Sequence, residues 1–102
     1  MMILVYITCA DEKEANVVSE HLLNKKLIAC ANIFPIKSIY RWKGEIAAEN
    51  EVVVVAKSIE GKFNEIKKEV KKVHSYKVPC IIKINAEANE EYENWVGKEV
   101  KK

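Results

Sequence analysis

The segment "IACANIFPIKSIYRWKGEIAAENEVVVVAK" (residues 28–57) decides the fold that the sequence predicts. It contains two long strand-like runs joined by the pair Lys43-Gly44, which suits a tight hairpin turn. Four large apolar residues of the first run share one face at a period of two: Phe34, Ile36, Tyr40 and Trp42. Each run is about twice the usual strand length of five or six residues, so the hairpin should project beyond the sheet. We expect another subunit to cover its exposed aromatic rings.

The segments on either side of this hairpin predict a β-α-β-β-α-β order followed by a final helix. Residues 3–9 form an apolar run that is typical of a covered strand. Asp11, with Glu14 three residues later, predicts a capped helix start, and Pro79 precedes the last strand. With right-handed crossovers, this order corresponds to an α+β, ferredoxin-like antiparallel sheet with two helices on one face. We expect residues 1–102 to form a single domain.

Apolar periodicity predicts which residues each helix buries. The buried stripe of the first helix consists of Ala15, Val18, Leu22 and Leu23. Ser58 is the expected N-cap of the second helix. The stripe of that helix consists of Ile59, Phe63, Ile66, Val70 and Val73. The final helix begins near Asn89 and should bury Tyr92, Trp95 and Val96.

The composition indicates a small protein without a nucleic-acid or membrane partner. The net charge is only +2 and Arg41 is the one arginine, so the basic patch that nucleic acid requires is missing. The apolar residues 1–10 lack a preceding basic region and are too few to span a bilayer. The three cysteines are widely separated and form no Cys-x-x-Cys pair. We therefore expect a reduced, cytoplasmic protein.

Several ordered segments resemble the CutA-type divalent-cation tolerance proteins, and together they cover nearly the whole chain. These segments are "KKLIACANI" (25–33), "SIYRWKGEI" (38–46), "HSYKVPCI" (74–81) and "YENWV" (92–96). Glu51 and Lys57 also occupy positions where the family's third strand has an acid and a lysine. Two positions depart from the family pattern, since Ser75 replaces a common proline and Cys80 replaces a common glutamate.

This resemblance implies a ferredoxin-like fold that assembles as a homotrimer through strand pairing between subunits. It also implies a link to tolerance of divalent metals, notably copper, with no enzymatic reaction and no required cofactor. The architecture is similar to that of the trimeric PII-type signalling proteins, whose ligands bind in clefts between subunits.

Three side chains are the candidate ligands for a weakly bound divalent cation such as Cu(II): His74, Cys9 and Cys80. Imidazole suits copper or zinc, although a histidine in the last turn of a helix also serves to satisfy free carbonyls. Cys9 precedes a helix N-terminus, where a thiolate is stabilised, so it is the most reactive candidate thiol. Cys30 and Cys80 lie beside apolar residues and equally suit core packing.

Six residues are expected to line a cleft or a subunit interface: Cys30, Tyr40, Trp42, Glu51, Lys57 and Tyr76. The aromatic residues among them are more typical of interface packing than of catalysis. Glu51 and Lys57 point to the same face of their strand because six residues separate them. We expect an ion pair between subunits here, with a small-anion site as the alternative.

The leading interpretation is a trimeric, cytoplasmic divalent-cation tolerance protein that binds metal weakly and catalyses no reaction. The alternative is a PII-like sensor that binds a small anionic metabolite in the intersubunit cleft, and a third interpretation is a purely structural trimer. Other functions of this fold lack their residues. The segment "TCADEK" (8–13) has one cysteine where a copper chaperone needs two, and "VVVVAK" (52–57) has no ring for RNA recognition.

Overall fold

The computed structural model describes residues 1–101, which form four strands and three helices. Their order is β1 (Met2–Cys9), α1 (Glu12–Asn24), β2 (Cys30–Trp42), β3 (Glu45–Ile59), α2 (Phe63–Val73), β4 (Ile81–Ala86) and α3 (Glu90–Glu99). The strands form one antiparallel sheet in the order β2-β3-β1-β4. The predicted α+β class and element order are therefore confirmed. Within the described residues, every helix is too short or too polar to cross a membrane.

The β2–β3 hairpin has strands of 13 and 15 residues, which confirms the predicted long hairpin. Its pairing begins with Cys30 opposite Lys57 and continues without a break to the turn. The turn residues Lys43 and Gly44 have φ angles of 50° and 80°, as a type I′ hairpin turn requires. Pro35 is tolerated because β2 is an edge strand, where a backbone donor can be missing. The projecting hairpin gives a molecule of 45 × 25 × 21 Å.

One face of the sheet, called the helix face below, is covered by α1 and α2. Alternate residues of β1 point into this layer and are completely buried: Ile3, Val5, Ile7 and Cys9. They pack with the buried helix residues Ala15, Val18, Leu22, Ile66 and Val70. Burial of an aliphatic side chain of this kind stabilises the fold by about 1.5–3 kcal/mol, so this layer is the main core.

The opposite face, called the open face below, is covered by α3 at one end of the sheet. There Val96 and Val100 pack with Met2 and its neighbours in a second, smaller cluster. Several large apolar side chains of this face and of the hairpin are exposed: Phe34, Tyr40, Trp42, Ile82 and Ile84. Exposed large apolar side chains in such number on one side of a sheet are typical of an interaction site.

Helix α1 begins with the predicted cap, although Glu14 has a different partner from the one expected. Oδ1 of Asp11 accepts a 2.8 Å hydrogen bond from the Glu14 N–H. Oε1 of Glu14 accepts a 2.8 Å bond from the Ala10 N–H, one residue before the cap. At the other end of α1, Lys26 adopts a left-handed conformation with φ of 58°. Leu27 then donates its N–H to the Leu22 carbonyl, which closes a Schellman motif without a glycine.

Two residues that the periodicity assigns to the core are not buried. Leu23 is 40% exposed and Trp95 is 41% exposed. Both lie beside the buried position of their helix, at the edge of the stripe. The remaining predicted members of the α1 stripe, and Val96 in α3, are completely buried, while Tyr92 is half-buried.

The predicted cap of α2 is wrong. Ser58 lies inside β3, where its buried hydroxyl donates a 2.6 Å hydrogen bond to the Leu27 carbonyl. The strand therefore continues through Ile59, and α2 begins only at Phe63, without a side-chain cap. Serine suits an N-cap by type, but here its hydroxyl has a tertiary partner that sequence pattern does not show.

Candidate functional site

Cys9, Glu14 and His74 form a cluster at one end of the sheet. Cys9 is the last residue of β1, Glu14 is in the first turn of α1, and His74 follows α2. One candidate ligand atom from each residue lies within 4.8 Å of the other two. Sulfur, carboxylate oxygen and imidazole nitrogen together suit Cu(II) or Zn(II). The structure thus brings together two of the predicted ligands and adds Glu14.

Both ring nitrogens of His74 already have backbone partners, and its side chain is completely buried. Nε2 lies 2.7 Å from the carbonyl oxygen of Thr8, and Nδ1 accepts a 3.1 Å hydrogen bond from the Tyr76 N–H. Because a carbonyl oxygen can only accept, Nε2 carries the proton and the ring is neutral. His74 therefore joins the end of α2 to β1, whereas its position in the sequence suggests interaction with helix carbonyls.

Glu14 accepts backbone hydrogen bonds with both of its carboxylate oxygens. Oε1 accepts from Ala10 at 2.8 Å and Oε2 accepts from Ser75 at 2.7 Å. Burial acts to raise the pKa of Glu14, but the hydrogen bonds from Ala10 and Ser75 outweigh it, so the net pKa is lowered. Glu14 is thus an ionised carboxylate that joins α1 to the segment after α2. The capping signal locates Glu14 in the sequence but does not indicate that it faces His74.

Cys9 is not the reactive thiol that its position before a helix predicts. Burial, followed by the charges of Glu14, Asp11 and Glu51, raises the pKa of Cys9 to about 12. These carboxylates oppose a thiolate more strongly than the helix N-terminus favours one. The thiol is therefore protonated at neutral pH, and a metal ion would have to displace that proton.

Cys80, the third predicted ligand, lies outside this three-residue cluster. Its carbonyl oxygen accepts a 3.3 Å hydrogen bond from the Thr8 N–H, just before β4 begins. Its side chain lines the cleft described next. A role for Cys80 as a metal ligand stays a prediction.

A cleft of about 730 Å³ lies between the β2–β3 hairpin and the segment that follows α2. We call it the hairpin cleft, and its lining includes Thr8, Ser38, Tyr40, Trp42, Glu49, Glu51, Tyr76, Lys77, Val78 and Cys80. Four of the six residues predicted for a cleft or interface lie here: Tyr40, Trp42, Glu51 and Tyr76. Sequence analysis missed Glu49, although it precedes Glu51 by two residues and therefore shares its face.

Two tyrosine hydroxyls donate hydrogen bonds to carboxylates in the hairpin cleft. Tyr76 donates to Oε2 of Glu51 at 2.6 Å, and Tyr40 donates to Oε1 of Glu49 at 2.7 Å. The hydrogen bond to Glu49 raises the pKa of Tyr40, while burial and then Glu51 raise the pKa of Tyr76. Both tyrosines therefore act as neutral donors at pH 7. Two carboxylates in one cleft do not favour the anionic ligand of the alternative interpretation.

Cys30 and Lys57 lie away from the hairpin cleft, beside α3. They are opposite each other in the β2–β3 ladder. Sγ of Cys30 is 3.2 Å from the Tyr92 hydroxyl, and Nζ of Lys57 is 5.5 Å from the centre of the Tyr92 ring. The register confirms that Glu51 and Lys57 share a face, the open face. Neither forms an ion pair with another residue of the range 1–101, so the pair between subunits stays a prediction.

Comparison with known proteins identifies relatives over almost the whole chain. The family described as "CutA1 divalent ion tolerance protein" matches residues 3–99. The "Divalent-cation tolerance protein CutA" of Archaeoglobus fulgidus is 43% identical over 97 residues, which cover 94% of this chain and 95% of that protein. The protein of the same description from Pyrococcus horikoshii is 40% identical and covers 99% of this chain and 100% of its own length.

Solved structures show the same similarity in three dimensions. A structure described as the "Periplasmic divalent cation tolerance protein CutA" from Archaeoglobus fulgidus has a TM-score of 0.95 at 42% identity, and it covers 99% of this chain and 100% of that one. The CutA1 structure from Oryza sativa has a TM-score of 0.94 at only 28% identity, with coverage of 98% and 94%. The sheet order and the long hairpin therefore belong to an arrangement that is shared at low sequence identity.

Proposed function

The chain belongs to the CutA1 family of divalent ion tolerance proteins, and on this premise we propose that it is a homotrimer that binds a divalent metal ion weakly through Cys9, Glu14 and His74. The observation that carries the metal proposal is the 4.8 Å grouping of one sulfur, one oxygen and one nitrogen donor. Cu(II) is the ion we favour, because imidazole and sulfur donors both suit copper. A bound ion would supply a cross-link between β1, α1 and the end of α2, and no catalytic step.

Weak affinity follows from the contacts that these donors already make. The Cys9 thiol holds its proton, and both oxygens of Glu14 and both nitrogens of His74 are hydrogen-bonded. A metal ion has to displace the proton and at least some of these bonds, which reduces the net free energy of binding. Cys80 remains a candidate additional ligand from the adjacent cleft wall.

The open face supports the proposed trimer. It carries exposed apolar side chains that nothing within residues 1–101 covers, and β2 and β4 are edge strands with backbone groups available for pairing. In the trimer, strand pairing along the long hairpin would place Tyr40 and Trp42 in a cleft between subunits. The ferredoxin-like description of the subunit is part of the same proposal and is supported by the β2-β3-β1-β4 order with α1 and α2 on one face.

We propose that the protein is cytoplasmic and has no catalytic role. Three cysteines without a disulfide are typical of a reducing compartment. Cell fractionation tests the location, and it is needed because one similar structure is described as periplasmic. The neutral, hydrogen-bonded His74 and the protonated Cys9 also do not form an activated nucleophile and base.

Titration calorimetry with Zn(II) and Cu(II) tests the metal site. The parent should be the Cys30→Ser/Cys80→Ser variant, because its single thiol limits the reduction of Cu(II), and redox-inert Zn(II) checks the result. Cys9→Ala in this parent should weaken binding by about tenfold or more, equivalent to about 1.4 kcal/mol or more. This substitution leaves the hydrogen bonds of His74 intact, whereas His74→Ala would leave the Thr8 carbonyl and the Tyr76 N–H without partners.

Two results would contradict the proposed ligand set. Equal metal affinity of the parent and its Cys9→Ala variant would show that Cys9 is not a ligand. Loss of metal binding in the parent itself would assign the metal to Cys30 or Cys80. Glu14→Gln gives an independent check, because the amide keeps one hydrogen-bond acceptor but removes the charge. It should weaken metal binding in the same direction as Cys9→Ala.

A further inference from the structure

The hairpin cleft has a composition that the proposed metal site does not use. Three aromatic rings, those of Tyr40, Trp42 and Tyr76, stand beside the carboxylates of Glu49 and Glu51. The cationic member of the lining is Lys77, whose side chain is exposed. The volume of about 730 Å³ falls within the range of small-molecule sites, about 300–1,000 Å³.

Glu51 is the strongest indication of a missing partner. It is only 9% exposed, and its recorded hydrogen bond is the one from the Tyr76 hydroxyl to Oε2. No lysine, arginine or histidine in the described part of the chain forms an ion pair with it. A carboxylate with so little access to water is costly to maintain unless a positive group compensates it. A neutral phenol supplies a hydrogen bond but no charge.

We propose that the hairpin cleft binds a small organic cation, whose primary ammonium group pairs with Glu51 and whose apolar body packs against Tyr40 and Trp42. An ammonium group can donate three hydrogen bonds, so Glu49 can take part as a second acceptor. Aromatic faces attract the same positive charge within about 6 Å of the ring centre. The cleft therefore offers both charge compensation and an apolar wall to one ligand.

Other ligand classes fit this cleft less well. An anion would be placed beside two carboxylates, and the nearest lysine in the lining is exposed to solvent. A divalent metal would find fewer than three ligating groups here, since the three-residue metal cluster in the range 1–101 does not include Glu49 or Glu51. The inference is independent of the metal proposal, because none of its three polar anchors, Glu49, Glu51 and Tyr76, is a proposed metal ligand.

Calorimetric titration of the full chain with phenethylammonium, in the presence of EDTA, tests the proposal. The matched control is 3-phenylpropanoate at the same ionic strength, which has a similar apolar body and the opposite charge. We expect saturable binding of the amine, with one site per chain, and no saturable heat from the anion. Equal binding of both probes, or no binding of the amine at millimolar concentration, would overturn the proposal. EDTA removes free metal, so neither result depends on the Cys9 cluster.

Glu51→Gln is the decisive variant, because glutamine can still accept the Tyr76 hydroxyl hydrogen bond but carries no charge. We expect its affinity for phenethylammonium to fall about tenfold, which corresponds to about 1.4 kcal/mol. Glu45→Gln is the matched control on the same strand and face, outside the cleft lining, and should leave affinity unchanged. If Glu51→Gln does not fold, Glu49→Gln replaces it, since Glu49 is exposed and its loss should also weaken binding.

A cationic side chain from a second copy of the chain is the competing occupant of the cleft. In that case the amine would not bind to the assembled protein, and Glu51→Gln would lower the oligomeric mass measured by light scattering. This combination would overturn the small-molecule proposal and would assign Glu51 to the subunit interface. Binding of the amine that Glu51→Gln weakens, at unchanged oligomeric mass, supports the proposal.

Discussion

On the helix face of the sheet Ile3 and Ile7 are completely buried, whereas on the open face Ile82 and Ile84 are 47% and 45% exposed. Both faces carry apolar side chains, with Ile3 and Ile7 on β1 and Ile82 and Ile84 on the neighbouring edge strand β4. The difference is the cover, because α1 and α2 pack along one face while α3 reaches only one end of the other. An alternating apolar pattern therefore predicts that a sheet face will be buried, but it does not indicate whether the same chain or another molecule buries it.

The two candidate sites differ in their cover, because the hairpin cleft is open whereas the Cys9 and His74 side chains of the metal cluster are buried. Thr8 and Glu51 line the hairpin cleft, and the metal cluster lies at the neighbouring end of β1. The segment after α2 connects the two sites, since His74 contacts the Thr8 carbonyl and the Tyr76 hydroxyl reaches Glu51. The open face thus carries the cleft that is accessible to a ligand, whereas the metal cluster includes Cys9 of the packed helix layer.

The largest effect is expected from Ile7→Ala on the helix face. Ile7 is completely buried between β1 and the helices, so its truncation leaves a cavity and should lower the free energy of unfolding by about 2–5 kcal/mol. Urea unfolding followed by circular dichroism measures this loss, and light scattering should show an unchanged oligomeric mass. Ile84→Ala is the matched control and should cost less. An equal cost at unchanged mass would mean that the two faces do not differ in packing.

A change of assembly is expected from Ile84→Asp on the open face. The proposed trimer should have a mass of about 35 kDa, three times the 11.7 kDa of one chain. A carboxylate in the apolar contact should disfavour association, because it would lose its hydration without gaining a partner. Light scattering should therefore show a shift towards 11.7 kDa while the far-ultraviolet dichroism of the folded chain is retained.

The adjacent residue provides the control for this substitution. Lys83 points to the opposite side of β4 from Ile84, and its Nζ lies 3.3 Å from Oε1 of Glu60. Lys83→Gln should leave the oligomeric mass unchanged. A mass of 11.7 kDa for the unmodified protein would contradict the trimer, and an unchanged mass in Ile84→Asp would place the contact elsewhere.

The elements could be predicted from the sequence because their determinants are local. The hairpin follows from alternation and from two turn residues that accept positive φ angles, and the start of α1 follows from Asp11. The failures have tertiary causes. Ser58 was predicted to cap a helix because its actual hydrogen-bond partner, the Leu27 carbonyl, is distant in the sequence. Trp95 and Leu23 were wrongly predicted to be core residues, because periodicity does not determine how wide the buried stripe of a helix is.

The candidate site could be predicted only in part, since its members meet through the fold. The ring of His74 takes its partners from Thr8 and Tyr76, and only Tyr76 is close to it in the sequence. The protonated state of Cys9 depends on burial and on Glu14 and Asp11, so the helix N-terminus argument fails once those charges are located. Residue type made His74 and the cleft tyrosines candidates for ligand or hydrogen-bond contacts, but the partners that they have in the fold could be identified only from coordinates.

The smallest effect concerns the outer side of the helix layer, where Glu69 joins the two helices. Its carboxylate accepts hydrogen bonds from Lys72 at 2.9 Å and is 2.8 Å from Nε2 of His21. The hydrogen bond from Lys72, and then that from His21, lowers the pKa of Glu69 from 4.5 to about 2. Because the folded pKa is below the unfolded value, this contribution to stability is present above pH 4.5 and is lost as the pH falls towards 2.

Glu69→Gln should therefore flatten the dependence of unfolding free energy on pH between about 4.5 and 2, as measured by urea unfolding at a series of pH values. Glu65→Gln on the same helix is the matched control, because the exposed Glu65 side chain lies 3.7 Å from Lys62 and has no second partner. Its pH profile should follow that of the unmodified protein. Identical pH profiles for Glu69→Gln and the unmodified protein would show that the charge of Glu69 does not contribute to the free energy of unfolding. In that case the helix face would be held by its apolar core alone, and the contrast with the open face would be a matter of packing only.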